Sequence, residues 1–134
     1  MIIEDIMTSK LITVRPEDTV KKALDIMNEN RINGTPVIDE FGHLVGMIVK
    51  ADIYRFLIEE GHYDTCPVDW VMTKQVVTGK LGNSLIEVAE KLRDNNIIAM
   101  PIVDEDNKVK GIIAIEDVVD YLMKKVEQKH KKVL

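Results

Sequence analysis

The stretch "GMIVKAD" at residues 46–52 returns one repeat later as "GIIAIED" at residues 111–117, with Gly46 over Gly111 and Asp52 over Asp117. A glycine, a short β-prone apolar run and then an acid spell a strand that ends where a helix begins. The acid has two uses at such a junction. It can cap the helix by accepting a hydrogen bond from backbone N–H, or it can hold a ligand.

Around this pair, residues 6–57 align with 71–122 without a gap, and about a dozen positions are identical. The chain is a tandem duplication. Its identities fall at punctuation points: Met7 and Thr8 over Met72 and Thr73, Thr13 over Thr78, Pro36 over Pro101, and Asp39–Glu40 over Asp104–Glu105. In each copy a short extended piece, "LITV" (11–14) in the first, leads to an amphipathic helix. Thr19 or Asp18 can cap the first such helix, whose apolar stripe is Val20, Ala23, Leu24 and Met27. In the second copy "SLIE" (84–87) reads as a capping box before the stripe Leu85, Val88, Ala89 and Leu92. "TPVID" (35–39) with "HLVGMIV" (43–49), and "MPIVDE" (100–105) with "KVKGIIAI" (108–115), then read as β-hairpins.

A final helix starts near Asp52 and near Asp117. "IYRFLI" (53–58) is apolar nearly all round, and Val118, Val119, Leu122, Met123 and Val126 form a wide stripe. Apolar faces of that size seldom stay wet, so the two copies cover each other or a second subunit covers the remainder; a homodimer through these helices is expected. Residues 59–68 read as a linker, which puts the first repeat at 1–58 and the second at 69–134.

With 46% hydrophobic and 31% charged residues in 134, the chain has the composition of an ordinary soluble domain with one core. A net charge of −5 argues against nucleic acid as the main partner. No stretch approaches the roughly 20 apolar residues of a membrane span. The single cysteine, Cys66, rules out an internal disulfide, and a cytoplasmic location is expected.

These motifs resemble the cystathionine-β-synthase (CBS) domain family in its tandem form. "EDIMT" and "DWVMT", the Thr13 and Thr78 strands, "TPVID" and "MPIVDE", and the two glycine-to-aspartate segments carry the resemblance over nearly the whole chain. It implies an α+β fold of two pseudo-symmetric β-α-β-β-α repeats packed through their sheets into one compact module. It also implies clefts that take AMP, ADP, ATP or a related adenosyl ligand, with no cofactor required. Such pairs regulate something else, and with no effector domain attached this one is expected to act through its dimer or a separate regulated protein.

By the same resemblance, Asp52 and Asp117 accept hydrogen bonds from the ribose hydroxyls. The pattern places a Ser or Thr three residues before each acid, where this chain has Val49 and Ala114, so phosphate grip is expected to be weakened. Lys50 and Arg15 in the first copy can neutralise phosphate, whereas Glu116 and a lone Lys80 stand in the second. Thr35 and Met100, next to Pro36 and Pro101, would offer backbone groups to an adenine edge, although the prolines read equally as rigid openings to strands. Thr13 and Thr78 lie in the opening extended segments beside Val14 and Lys80 and are candidates by the same resemblance, and Val14, Ile32, Ile97, Val49 and Ala114 are candidate apolar walls or plain core.

Two further clusters are weighed. "HYDTC" (62–66) gathers His62, Asp64 and Cys66, but no second cluster completes a metal site and no base and oxyanion site complete a nucleophile. The basic "KKVEQKHKK" (124–132) suits the end of a helix or an acidic docking partner. Paired acid–base groups are not legible, so the chain is not expected to be an enzyme. Regulatory ligand sensing and ligand-free dimerisation remain as the two readings.

Overall fold

The computed structural model describes residues 3–133, with side chains as far as Lys131. Met1, Ile2 and Leu134, which the expected repeat bounds include, lie outside the described residues. The chain runs α1 (Val20–Asn30), β1 (Gly34–Ile38), β2 (Leu44–Val49), α2 (Lys50–Ile58), β3 (Gly79–Lys80), α3 (Leu85–Asp94), β4 (Ala99–Val103), β5 (Val109–Ala114) and α4 (Ile115–Val133). This is the expected α+β order, with the opening strand of the first copy reduced to a single parallel bridge from Val14 to Val37.

The compact units do not follow the two halves of the chain. One contains Ile12–Val76 with Asp106–Val109; the other contains the residues up to Leu11, then Val77–Glu105 and the chain from Lys110 onward. Each copy's opening "MT" therefore packs with the hairpin of the other copy. Met47 and Thr73 exchange backbone hydrogen bonds of 2.9 and 2.8 Å, and Thr8 and Ile112 exchange bonds of 2.9 and 3.0 Å. The repeated glycines make these bridges possible. A Cβ on Gly46 would lie 2.8 Å from both the Thr73 carbonyl oxygen and Met72 Sδ, and one on Gly111 would lie 2.8 Å from the Thr8 carbonyl oxygen and Met7 Sδ.

In the first unit β1 and β2 pair antiparallel with Gly34 opposite Val49, and buried Ala23, Met27, Val37, Ile48, Ile53 and Val68 form the core. In the second unit the sheet order is β3-β4-β5, with β3 parallel to β4, and buried Val88, Leu92, Ile102, Ile113, Val118 and Ile3 occupy the matching places. Volume is traded between the copies. Val14, Thr35 and Val37 in the first correspond to Gly79, Met100 and Ile102 in the second. A Cβ on Gly79 would come within 2.6 Å of Ile102 Cδ1, so the missing side chain accommodates the larger neighbours at close-packed density.

The helix starts form largely as the sequence dictates. Thr19 Oγ1 accepts the N–H of Lys22 at 3.1 Å, while Asp18 instead accepts the N–H of Arg15 at 2.8 Å. Ser84 Oγ accepts the N–H of Glu87 at 3.2 Å and its hydroxyl meets Glu87 Oε1 at 3.2 Å, so Glu87 turns to the serine hydroxyl. Residues 64–69, partly within the expected linker, run along the start of α1. The carbonyls of Cys66 and Asp64 accept the N–H groups of Val20 and Lys21 at 2.8 and 2.9 Å, satisfying donors that the first turn of a helix leaves unpaired. Among the described residues no helix is long and apolar enough to cross a membrane.

Candidate functional site

In the first unit backbone hydrogen bonds hold the opening segment against β1, and β1 against the junction of β2 with α2. Val14 donates its N–H to the Pro36 carbonyl at 3.2 Å and accepts from Ile38 at 2.9 Å, which holds the opening segment against β1. Val49 ends β2 opposite Gly34, and Lys50 donates its N–H to the Asn33 carbonyl at 2.8 Å, fixing where α2 begins. Thr35 and Pro36 are buried, and the Thr35 hydroxyl donates to the Ile12 carbonyl. Thr13, Arg15, Val49, Lys50 and Asp52 stay partly exposed. The Arg15 guanidinium pairs with Glu17 at 3.0 Å, while its Nε is shut from solvent without a hydrogen-bond partner, a spare donor beside the strand.

The second unit repeats the plan with different chemistry. Met100 and Pro101 are buried, Thr78, Ala114 and Asp117 are partly exposed, and Lys80 is exposed. Ile115 stands where the first copy has Lys50, and its N–H binds the Ile98 carbonyl at 2.8 Å as Lys50 binds Asn33. Lys80 donates its N–H to Asn83 Oδ1 at 2.8 Å, which closes the turn after β3.

The two repeated acids do different local work. Asp117, in the first turn of α4, accepts the N–H of Ala114 through Oδ2 at 2.8 Å, so it caps the helix. Asp52 does not cap α2. Val49 offers no side-chain cap, and Asp52 Oδ1 instead accepts from the Arg55 guanidinium one turn on. In both cases one carboxylate oxygen has a local partner, Arg55 for Asp52 and the Ala114 N–H for Asp117, and a carboxylate has capacity to accept further hydrogen bonds.

Two residues escaped the sequence reading. Lys91 on α3 donates to the Thr78 carbonyl at 2.7 Å, placing a cation just before β3. Its signal was a lysine inside the apolar stripe, where the first copy has Ile26. Arg55 was legible as a basic residue three positions after Asp52, the spacing at which helical side chains meet. The "HYDTC" residues do not converge: His62 stacks on Phe56 at 4.0 Å between ring centroids, and among the described residues no three His, Cys, Asp or Glu side chains gather as metal ligands.

The sequence profile of the CBS domain matches residues 3–59 and again 68–124. The chain belongs to the CBS domain family. This CBS pair resembles the CBS domain pair of protein MJ0100, solved in complex with 5′-methylthioadenosine and S-adenosyl-L-methionine, at a TM-score of 0.84 and 30% identity over 93% of this chain and 98% of that one. It resembles CBSX2, solved in complex with AMP, at a TM-score of 0.82 and 28% identity, covering 92% of this chain and 96% of that one. Inosine-5′-monophosphate dehydrogenase from Aquifex aeolicus is 41% identical over 109 residues, 81% of this chain. The CBS pair spans only 22% of that enzyme's length, and 22–24% of the first enzymes it matches.

Proposed function

We propose that this CBS pair is a regulatory module that binds an adenosine-containing ligand at the strand-to-helix junctions and passes the signal on through a homodimer or a regulated partner protein. The observation that carries the reading is the pair of carboxylates, Asp52 and Asp117, at the same strand-to-helix junction of the two copies, each with one oxygen engaged by a local partner. Two neighbouring ribose hydroxyls are the donors such an acceptor suits. The complexes of MJ0100 and CBSX2 with adenosyl ligands and AMP support it.

The first junction takes phosphorylated ligands better. Arg15 and Lys50 bring two cations to the first copy, whereas Ile115 replaces that lysine in the second copy and Glu116 follows it. Lys91 narrows the difference, since it brings positive charge to Thr78. Val49 and Ala114 supply no hydroxyl, so adenosine itself supplies most of the recognition.

A thermal-shift panel of AMP, ADP, ATP, NAD and S-adenosylmethionine is the test, because a ligand that prefers the native state must raise the melting temperature. No shift with any of them at millimolar concentration would overturn the ligand reading. It would leave the second reading, a ligand-free dimerisation module, which the capping role of Asp117 favours because that acid then needs no ligand to explain it.

A further inference from the structure

Helix α4 is longer than its counterpart and longer than the family pattern requires. The CBS profile ends at Lys124, but the helix continues to Val133, 19 residues in all against 9 for α2 at the matching place of the first copy. Where α2 stops, the first copy reads Glu59, Glu60 and Gly61; the second reads Lys124, Lys125 and Val126. Every side chain from Leu122 to Lys131 is exposed, so none in these turns is buried by its own unit. A helical segment this short is marginal in water unless packing supports it.

The exposed turns carry a surface shaped for another helix. Val119, Leu122, Met123 and Val126, with Glu127, line a shallow concavity of about 290 Å³. The four apolar residues stand at i, i+3, i+4 and i+7, the corners of a hole that receives one side chain of a facing helix in knobs-into-holes packing. One helix cannot enclose a small molecule, so this concavity suits a knob and not a cofactor. Cations border it. Helical spacing sets Lys125 and Lys129 along one side of the stripe and Lys124 and Lys131 along the other, with Glu127 the one acid between residues 121 and 131. Lys125 Nζ lies over the Tyr121 ring, 5.5 Å from its centroid. The whole chain carries a net charge of −5, so these turns are a basic island in an acidic protein.

We propose that the turns from Val119 to Lys131 dock an acidic helix of a partner protein, whose apolar knob enters the concavity and whose carboxylates face Lys125 and Lys129. Charges flanking such a seam choose the partner, and lysines on both borders select an acidic helix over a basic one. A nucleic acid would use the cations and leave the hole empty.

The proposal supplies the kind of partner that the regulatory reading requires and rests on that reading for its purpose only. Fluorescence anisotropy on the intact chain tests it. The probe is a labelled synthetic helix of about three heptads, with leucine at the first and fourth positions and glutamate flanking them. It is expected to bind with a Kd in the micromolar range and to weaken about tenfold as salt rises from about 50 to about 500 mM. The same helix with lysine in place of glutamate, and a polyglutamate of equal length, should each bind at least about tenfold more weakly. Lys125→Glu combined with Lys129→Glu, and separately Val126→Asp, should each raise the Kd about tenfold or more. All three residues are exposed, and an unchanged far-UV circular dichroism spectrum would show the fold intact. Lys74→Glu, the same charge change on an exposed lysine of the first unit, should leave the Kd within about twofold. No binding, equal binding of polyglutamate, or indifference to the α4 variants would overturn the docking surface. Sedimentation and phosphatidylserine vesicles would then show whether a second copy or an anionic lipid surface covers it instead. Peptide binding by a chain that shows no thermal shift with adenosine ligands would keep the interface and overturn the ligand reading alone, and a thermal shift without peptide binding would do the reverse.

Discussion

Asp117→Ala and Asp52→Ala separate the capping role of the repeated acid from its proposed binding role. The Asp117 carboxylate accepts the Ala114 N–H at 2.8 Å at the start of a 19-residue helix, where a negative charge also complements the helix dipole. Its removal should cost about 1 kcal/mol of stability, the typical loss for a helix cap. For a domain of this size that is a fall in Tm of about 3–5 °C. Asp52 pairs with Arg55, whose side chain is 71% exposed against 29% for the aspartate, and a surface pair of this kind is worth about 0.3–0.5 kcal/mol, or under about 2 °C. Asp117→Asn keeps an oxygen acceptor and should recover most of the lost stability. Differential scanning calorimetry on the three variants reads stability, and isothermal titration with AMP reads affinity, where Asp52→Ala should lose more than Asp117→Ala. Equal falls in Tm, or a larger one for Asp52→Ala, would refute the division of labour between the two acids.

Gly111→Ala should destabilise by about 1–3 kcal/mol, the usual cost of forcing an extra methyl into a packed site, because the new Cβ meets the Thr8 carbonyl oxygen at 2.8 Å; a chemical-denaturation midpoint unchanged from wild type would refute it. Val49→Thr should tighten AMP more than adenosine in titrations at matched salt, and an equal gain for both would show the hydroxyl reading ribose instead of phosphate. Burial pushes the Asp39 carboxyl up, but the N–H groups of His43 and Phe41 and the His43 ring together outweigh it and hold the pKa below the ordinary value. A depressed folded pKa contributes stability that is present above the unfolded value of about 3.9 and is lost as pH falls through the folded one. Asp39→Asn should therefore flatten the acid limb of the stability curve below about pH 4, and an unchanged limb would show that the turn contributes nothing to it.

The β-α-β-β-α order was legible because each element is written twice, and two weak periodic signals in register reinforce one another. The caps at Thr19 and Ser84 and the buried positions Ala23, Met27, Val88 and Leu92 follow from local spacing alone. The exchange of opening segments was not legible. A repeat alignment relates Met7 to Met72 but is silent on which hairpin either one meets, since Gly46 and Gly111 are identical in sequence. The divergent uses of Asp52 and Asp117 were hidden for a similar reason: they turn on whether residue 55 or the N–H three positions back captures the carboxylate. In α2 the composition pointed outward, yet Ile53 and Leu57 were needed to fill the first unit's own core.

The crossing of the opening segments bears on how such a chain can arise. Ile3, Ile6 and Met7 complete the core that contains the second helix pair, and Val68, Val71 and Met72 complete the other. A polypeptide of one repeat therefore carries a lid for a neighbour and lacks one for itself. An ancestor with a single copy would have been viable only as a pair of molecules trading their first residues, and gene duplication would have joined two strands of an existing partnership. The present chain retains that reciprocity in covalent form: cut between residues 59 and 67, the two pieces should refold only when mixed, each supplying the hydrophobic closure that the other lacks.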